Sequence, residues 1–502
     1  LEQALPGKQV FMKIKKRLVG IIFLVVLQVI LVVPLQAEDY SDYLDNVMDM
    51  AREHYYMDIS RDELLKGALK GIFDTMDDYT TFYTSEEATS FFDTIEGNYQ
   101  GIGVEIIQVP EGVMVTRVFT NSPAEGAGVF ANDIIVRVDG TDVAGFSSTD
   151  VASLIKGEAG TFVELGILRG LDVVTIRVER GTVNISPVTW RVEGDIMYIR
   201  LDSFSGNSYR FFENALKEMD NRGIWKMVLD LRNNPGGEVF QAVSIARLLV
   251  REGIITTLDF KSEKQNDIQY LSYLKETKYL PAVLVNGNSA SASEILASAI
   301  KESRDGFLIG TQTYGKGVVQ NLYPILTPEA YKKYQLEYGQ SIVNGYDWIN
   351  QYGIDLNDSE LIGWSKVTTG HYLTRDGNRI DGKGLVPDFP VEDYELVNGI
   401  DVQAINLLVS SGTIELNGAG NDVFSAEKIL RAKGFELDNP DSVLDAQTCE
   451  FLKQFQQEND IAITGVLDDP TKQALNLELD ILRKTVDKQY AKAIELLSLL
   501  KY

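Results

Sequence analysis

The feature that most constrains this chain is a junction near position 290. Four apolar residues, Ala282 to Val285, read as a buried strand. After Asn286-Gly287-Asn288 comes Ser289-Ala290-Ser291-Ala292-Ser293-Glu294, and from there Ile295, Leu296 and Ala299 recur at helical spacing. A strand running this directly into a helix implies an α/β layer. It also puts a serine hydroxyl at a helix start, where N–H groups are unpaired and the dipole is positive. Two readings fit that serine. It caps the helix, the commonest use of serine there, or it is a nucleophile whose alkoxide and tetrahedral adduct the helix end stabilises.

A second short apolar run, Phe307 to Gly310, is followed by Tyr314-Gly315-Lys316-Gly317-Val318-Val319-Gln320. Serine needs a base, and a lysine desolvated against apolar walls gives up its proton readily enough to serve. By itself the fragment also fits a lysine in a glycine-rich surface turn. Upstream, strand-like and helical stretches alternate: Ile196 to Leu201, a helix near 208–221, Met227 to Leu231, a helix near 239–251, and Ile254 to Leu258. Inside that run lies Asp230-Leu231-Arg232-Asn233-Asn234-Pro235-Gly236-Gly237. Two glycines after a proline can turn backbone N–H groups toward a neighbouring site, although Pro-Gly-Gly is also an ordinary turn.

Composition narrows the chemistry. Two histidines, His54 and His371, and one cysteine, Cys449, leave no material for a histidine or cysteine metal cluster or an internal disulfide, so no metal and no cofactor are expected. A histidine base is poorly supplied, which leaves lysine. A net charge of −26 argues against nucleic acid as a partner, because phosphate binding needs clustered Lys and Arg. A length of 502 residues calls for several domains.

Together the serine and lysine segments resemble the C-terminal processing peptidases, or tail-specific proteases, a serine-lysine family. The resemblance makes Ser291 the nucleophile and Lys316, 25 positions on, the base, with Gln320 orienting the lysine. It makes 230–237 the oxyanion loop, so that Gly236 or Gly237 would share the oxyanion with the Ala292 N–H. The fold it implies is α/β and multidomain: a crotonase/Clp-protease-like α/β core at 182–400 with an inserted PDZ β-domain, N-terminal helices and a small C-terminal helical domain.

Taken in order, Lys13, Lys15, Lys16 and Arg17 precede an apolar run from Leu18 to Val33. Residues 12–37 therefore read as a signal peptide or a membrane anchor, with the rest of the chain outside the cytoplasm. Residues 39–98 read as a helical segment with Leu64, Leu65, Ala68, Ile72 and Phe73 on one apolar face. Its Asp77-Asp78-Tyr79 stands where the family usually has Asp-Pro-His, so only a helical role carries over. Residues 99–181, with Gly101-Ile102-Gly103-Val104 and Ser122-Pro123-Ala124-Glu125-Gly126-Ala127-Gly128, resemble a PDZ domain. There the 101–104 loop would cradle a peptide's terminal carboxylate.

Residues 326–364 read as an insertion with an apolar cluster of its own, since 331–352 hold five tyrosines and Trp348. Residues 421–480, with Phe455-Gln456 and Thr464-Gly465-Val466-Leu467-Asp468, resemble a peptidoglycan-binding domain. A protein-contact domain of the same fold is the other reading. Residues 481–502 complete a final amphipathic helix, begun near Leu477, that offers a dimer contact. The resemblance thus implies an endopeptidase of the bacterial cell envelope acting on proteins with accessible C-termini, with peptidoglycan, the membrane and a second copy as further partners. A non-catalytic tail-binding wall scaffold is the rival.

Overall fold

The computed structural model describes residues 40–500, apart from 120, 132, 170, 171, 185, 264, 411, 419 and 438. The signal or anchor at 12–37 lies outside the described residues. No helix among those described is long and apolar enough to cross a membrane. The chain divides into two compact units between Met76 and Asp77.

In the first unit, helices span Ser41–His54 and Arg61–Asp74. The second starts at a reciprocal cap, Glu63 N–H to Ser60 Oγ and Ser60 N–H to Glu63 Oε2. The apolar face expected there is not a core face: the helix has no buried residue, and Ile72 is 52% exposed.

The second unit begins with a departure from the all-helical expectation, because Thr81–Thr84 is a strand pairing antiparallel with Leu361–Leu373. Two threonines and two aromatics suit a pleated surface, and a partner strand about 280 residues away supplies the hydrogen bonds. A helix, Ser85–Glu96, follows and stops at Gly97, whose φ of 70° is left-handed.

Residues 98–184 form strands around a core that includes Ile102, Val113, Val115, Ile135, Leu165 and Ile167. Ser122 caps the short Pro123–Ala127 helix by accepting from Glu125 N–H. The Ser148–Ile155 helix lies across the same core through Val151 and Ile155.

The catalytic-core expectation maps onto a six-stranded sheet. Its order is Val188–Glu193, Ile196–Leu201, Lys226–Asp230, Leu280–Val285, Phe307–Gly310 and Phe389–Pro390, with only the first pair antiparallel. Helices Ser208–Arg222, Val239–Leu249 and Ala292–Ser303 contribute to the largest core cluster, on one side of this sheet. A second sheet joins Thr81–Thr84, Leu361–Leu373, Gly253–Phe260 and Ile268–Ser272, with Val318–Leu326 also paired to Leu361–Leu373. The 326–364 segment folds into helices Pro328–Tyr338 and Gly345–Tyr352 around Leu326, Ala330, Tyr334 and Trp348.

The C-terminal region packs helices Asn421–Lys433, Ala446–Glu458 and Asp469–Val486 around Ile429, Leu430, Leu452, Phe455 and Leu475. Fully buried Gln456 explains the motif around it. Its carbonyl accepts from Thr464 and Gly465 N–H, and its amide donates to Thr464 Oγ1, Val466 O and Thr471 Oγ1. The expected single helix over 477–500 is two, broken at Asp487, which caps Lys488–Leu499. The last helix turns its apolar face inward. Tyr490, Ala493 and Leu497 are buried against Ile196, Tyr198, Val228, Ala282, Leu284 and Ile309, on the second face of the six-stranded sheet.

Candidate active site

The Leu280–Val285 strand is buried from Pro281 onward, and the chain turns through 286–290 into the Ala292–Ser303 helix. The three serines at the turn have different fates. Ser289 Oγ donates to Leu231 O at 2.8 Å and accepts from Asn286 N–H at 3.0 Å. Ser293 Oγ donates to Asn234 O at 3.0 Å. Both are buried, so their hydroxyls are committed to holding the turn. Ser291 is only half-buried and sits at φ 56°, ψ −115°, a conformation that L residues rarely adopt and that costs roughly 1–3 kcal/mol. Ala292, the first residue of the helix, has no carbonyl four residues back within it, so its N–H is one of the unpaired donors.

Glu294, three residues on and fully buried, ties the serine turn to the lysine loop. Its Oε2 accepts from Ser291 N–H at 2.9 Å and Lys316 N–H at 3.0 Å. Those two backbone nitrogens are therefore no more than about 6 Å apart. Oε1 accepts from Thr313 Oγ1 and Gly315 N–H, and Tyr372 OH donates to Oε2 at 3.3 Å and to Ser291 O at 3.2 Å. The glycines around Lys316 are required sterically. A Cβ on Gly315 would lie 2.7 Å from Gly384 N, and one on Gly317 2.7 Å from Asp381 N.

Burial, and next the nearby Lys366 charge, push the Lys316 amine below the ordinary lysine range, while Asp77 and Glu294 oppose the shift. Its Nζ lies 4.5 Å from the centre of the Tyr79 ring. A hydrogen bond to Tyr314, and then burial, push the Tyr79 phenol up to about 12. Gln320 is engaged elsewhere, its amide donating to Thr368 Oγ1 at 3.3 Å. A register shift between Val319 and Gln320 re-aims the side chain at that point.

His371 neighbours Tyr372 on the Leu361–Leu373 strand, so the two side chains leave opposite faces and His371 points away from Ser291. Its buried Nδ1 has no hydrogen-bond partner. His54 lies in the first unit. Among the described residues, no group of three His, Cys, Asp or Glu could hold a metal ion.

The 230–237 loop lies against the serine turn. Asn234 O accepts from Ala290 N–H, and a Cβ on Gly236 would stand 2.8 Å from Ala290 O and Ser291 Cβ and 3.0 Å from Ala292 N. Gly236 N–H donates to Asn234 Oδ1 at 2.9 Å. Gly237 faces Phe204 instead, where a Cβ would lie 2.4 Å from its carbonyl oxygen. Gly236→Ala should therefore lower kcat by about 100-fold, since its methyl enters the space beside Ser291 and the Ala292 N–H and its φ of 102° is strained for alanine. Steady-state kinetics beside Gly287→Ala, whose Cβ meets nothing closer than 4.0 Å, checks this; equal losses in both would refute it.

Gly101, Ile102 and Val104 line a cavity of about 370 Å³ with Tyr99, Ile155 and Lys156. Gly103, at φ 85°, lies in the same loop. The Tyr99 ring crosses Gly101, where a Cβ would meet it at 2.9 Å. Burial pushes the Tyr99 phenol up to about 12, although backbone hydrogen bonds from Val104 and Gly103 favour its ionised form.

Asp77, Tyr79, Glu294, Thr313 and Tyr372 are the site neighbours that sequence reasoning missed. Glu294 had a usable signal as the last residue of the serine motif, and Asp77 and Tyr79 had one in standing at the family's Asp-Pro-His position, where only a helical role was carried over. Cys449, in the C-terminal helices, is partly buried, and burial pushes its thiol up, away from reactivity.

The model of peptidase family S41 matches residues 195–391, that of the PDZ domain 100–179 and that of a peptidoglycan binding domain 419–475. The carboxy-terminal processing protease CtpA of Bacillus subtilis is 30% identical over 462 residues, covering 91% of this chain and 90% of that protein. A "Probable CtpA-like serine protease" of Staphylococcus epidermidis is 29% identical over 433 residues, covering 85% of this chain and 80% of its own. Among solved structures, the photosystem II D1 C-terminal processing protease is 28% identical and covers 69% of this chain and 86% of its own, with a TM-score of 0.37. With 30% identity sustained over nine-tenths of both chains, this protein belongs to peptidase family S41, the C-terminal processing proteases.

Proposed function

We propose that this chain is an exported serine endopeptidase that cleaves proteins near their C-termini, assisted by its PDZ domain, through an acyl-enzyme on Ser291. The observation that carries the reading is the division of labour among three neighbouring serines: Ser289 and Ser293 spend their hydroxyls on backbone carbonyls, and Ser291 is held strained at the helix start. Lys316 Nζ takes the Ser291 proton as Oγ attacks the scissile carbonyl. The Ala292 N–H and the N–H of Gly237, or of Gly236 once it leaves Asn234 Oδ1, stabilise the oxyanion. The lysine then protonates the leaving amine, and water releases the acyl group. Gln320 steadies the lysine once its amide leaves Thr368.

The 101–104 loop captures the substrate's terminal carboxylate, which displaces the Tyr99 phenol from the Gly103 and Val104 N–H groups. The C-terminal helices bind peptidoglycan and, with residues 12–37 as signal or anchor, keep the enzyme in the cell envelope.

The test is cleavage of unfolded casein and of one peptide made with a free and with an amidated C-terminus, together with labelling by a fluorophosphonate. Adduct on Ser291 and faster cleavage of the free-acid peptide are expected. Adduct on another residue, or equal rates for the two peptides, would reject the nucleophile or the tail-capture step respectively. The same assay has a definite pH dependence. Because burial lowers the pKa of Lys316, activity should rise with pH as the amine loses its proton, with a midpoint below that of free lysine. A rate that falls over that limb would exclude a lysine base.

A further inference from the structure

We propose that the last helix, Lys488–Leu499, is a working part of the catalytic core: through Asp487 it sets the position of the oxyanion loop, making Asp487 and Arg232 positioning residues for the reaction at Ser291. This rests on the serine-peptidase reading above.

The contact is a two-sided clamp on one guanidinium. Arg232, 3% exposed, follows the Lys226–Asp230 strand and opens the loop that runs to Gly236. Its Nε donates to Asp230 Oδ1 at 2.9 Å and its Nη2 to Asp230 Oδ2 at 2.5 Å. On the other side, Nη1 donates to Asp487 Oδ1 at 2.9 Å and Nη2 to Asp487 Oδ2 at 2.8 Å. Paired forks of this kind fix the plane of a guanidinium as well as its charge. Asp487 is fully buried and itself held, accepting from Gln403 Nε2 and from Tyr490 N–H at the start of the last helix. Asp230 accepts in addition from Tyr198 OH at 2.7 Å.

From Arg232 the loop is tied residue by residue to the serine turn. Asn233 N–H donates to Asn286 Oδ1, and Asn286 Nδ2 donates back to Asn233 Oδ1. Asn234 O accepts from Ala290 N–H and Ser293 Oγ, and its Oδ1 accepts from Gly236 N–H. A shift of Arg232 is thereby passed to Gly236, beside Ser291 and the Ala292 N–H, within four residues. Without the clamp the first anchor of this series is lost, and Arg232 leaves a buried charge without half its partners.

The clamp also changes how the chain is parsed. The core's last strand is Phe389–Pro390, and the helix that covers the sheet's second face arrives only after the helices of 421–486. The accessory module is therefore inserted into the peptidase core, not appended to it. Removing everything beyond about residue 400 would strip Tyr490, Ala493 and Leu497 from Ile196, Val228, Ala282 and Leu284, and would remove Asp487.

The experiment uses the full chain with Asp487→Asn, which keeps the shape of the cap and loses one charge, beside Tyr490→Phe, which alters the same helix without touching the loop. For D487N we expect kcat on casein to fall at least tenfold with KM within twofold, and amide exchange in 231–238 to quicken at least tenfold; Y490F should match wild type in all three. Unchanged kcat or unchanged exchange in D487N would overturn the proposal, as would equal losses in Y490F, which would mean general loosening of the helix. Should D487N fail to fold, Arg232→Lys, which keeps a buried cation but cannot fork to both carboxylates, carries the same expectation and the same refutation. Inactive wild-type protein would sink the peptidase reading instead, and the exchange rates would then decide the clamp by themselves.

Discussion

Ser291→Ala is expected to lower kcat on casein by roughly 10⁴- to 10⁶-fold, the scale of losing a catalytic nucleophile. Folding should be little affected, because the Ser291 backbone contacts that hold the turn, its N–H to Glu294 and its carbonyl to Tyr372, survive the substitution. The neighbouring serines should behave in the opposite way. Ser289→Ala and Ser293→Ala each remove a buried hydroxyl that bonds a backbone carbonyl, costing about 1 kcal/mol of stability without abolishing chemistry. A fourth variant separates strain from reactivity. Ser291→Gly relieves the strain of φ 56°, ψ −115°, partly offset by the greater freedom of glycine in the unfolded chain, for a net gain of about 1 kcal/mol. Urea denaturation and casein kinetics on the four variants give the comparison. Full activity in S291A, or its loss in S289A alone, would move the nucleophile elsewhere.

The second large effect is expected at Glu294. Its carboxylate accepts from five donors: the N–H groups of Ser291, Gly315 and Lys316, and the hydroxyls of Thr313 and Tyr372. Alanine would leave four of them facing a cavity and Tyr372 with only Ser291 O, and removing the acceptor from a buried network of this kind costs roughly 3–5 kcal/mol. Against a typical total of about 5–15 kcal/mol, that is a large share of the stability of the fold. The same change unpins the serine turn from the lysine loop, so kcat should fall about 100-fold or more even in the protein that remains folded. Glu294→Gln keeps one carbonyl oxygen but turns an N–H₂ toward the remaining donors, and should lie between alanine and wild type. Thermal denaturation with kinetics at a temperature well below the transition tests both parts. A Tm within a degree or two of wild type would show that the donors find other acceptors and that Glu294 does not organise the site.

Much of the local architecture was legible in the order of residues, for reasons that act over short distances. An apolar run entering a serine-rich turn and then an apolar helical stripe can hardly be anything but strand, turn and helix, since period and capping are set by neighbours in the chain. The same holds for the capped Pro123–Ala127 helix and for Gln456, whose five bonds close a loop of about fifteen residues. The resemblance to the C-terminal processing peptidases rested on two such local motifs and their spacing, and the S41 family model matches residues 195–391 around them.

The tertiary structure alone decided which atoms those motifs meet. Ser289 and Ser293 look equivalent to Ser291 until Leu231 O and Asn234 O arrive from the loop after the Lys226–Asp230 strand and claim their hydroxyls. Thr81–Thr84 became a strand because Leu361–Leu373 lies beside it, and Ile72 never found a core to enter. Asp487 breaks the expected last helix and meets Arg232 from 255 residues away. Such contacts leave no periodic trace, because burial and charge pairing depend on what the fold brings near, whereas helices, turns and caps depend on what the chain already has beside it.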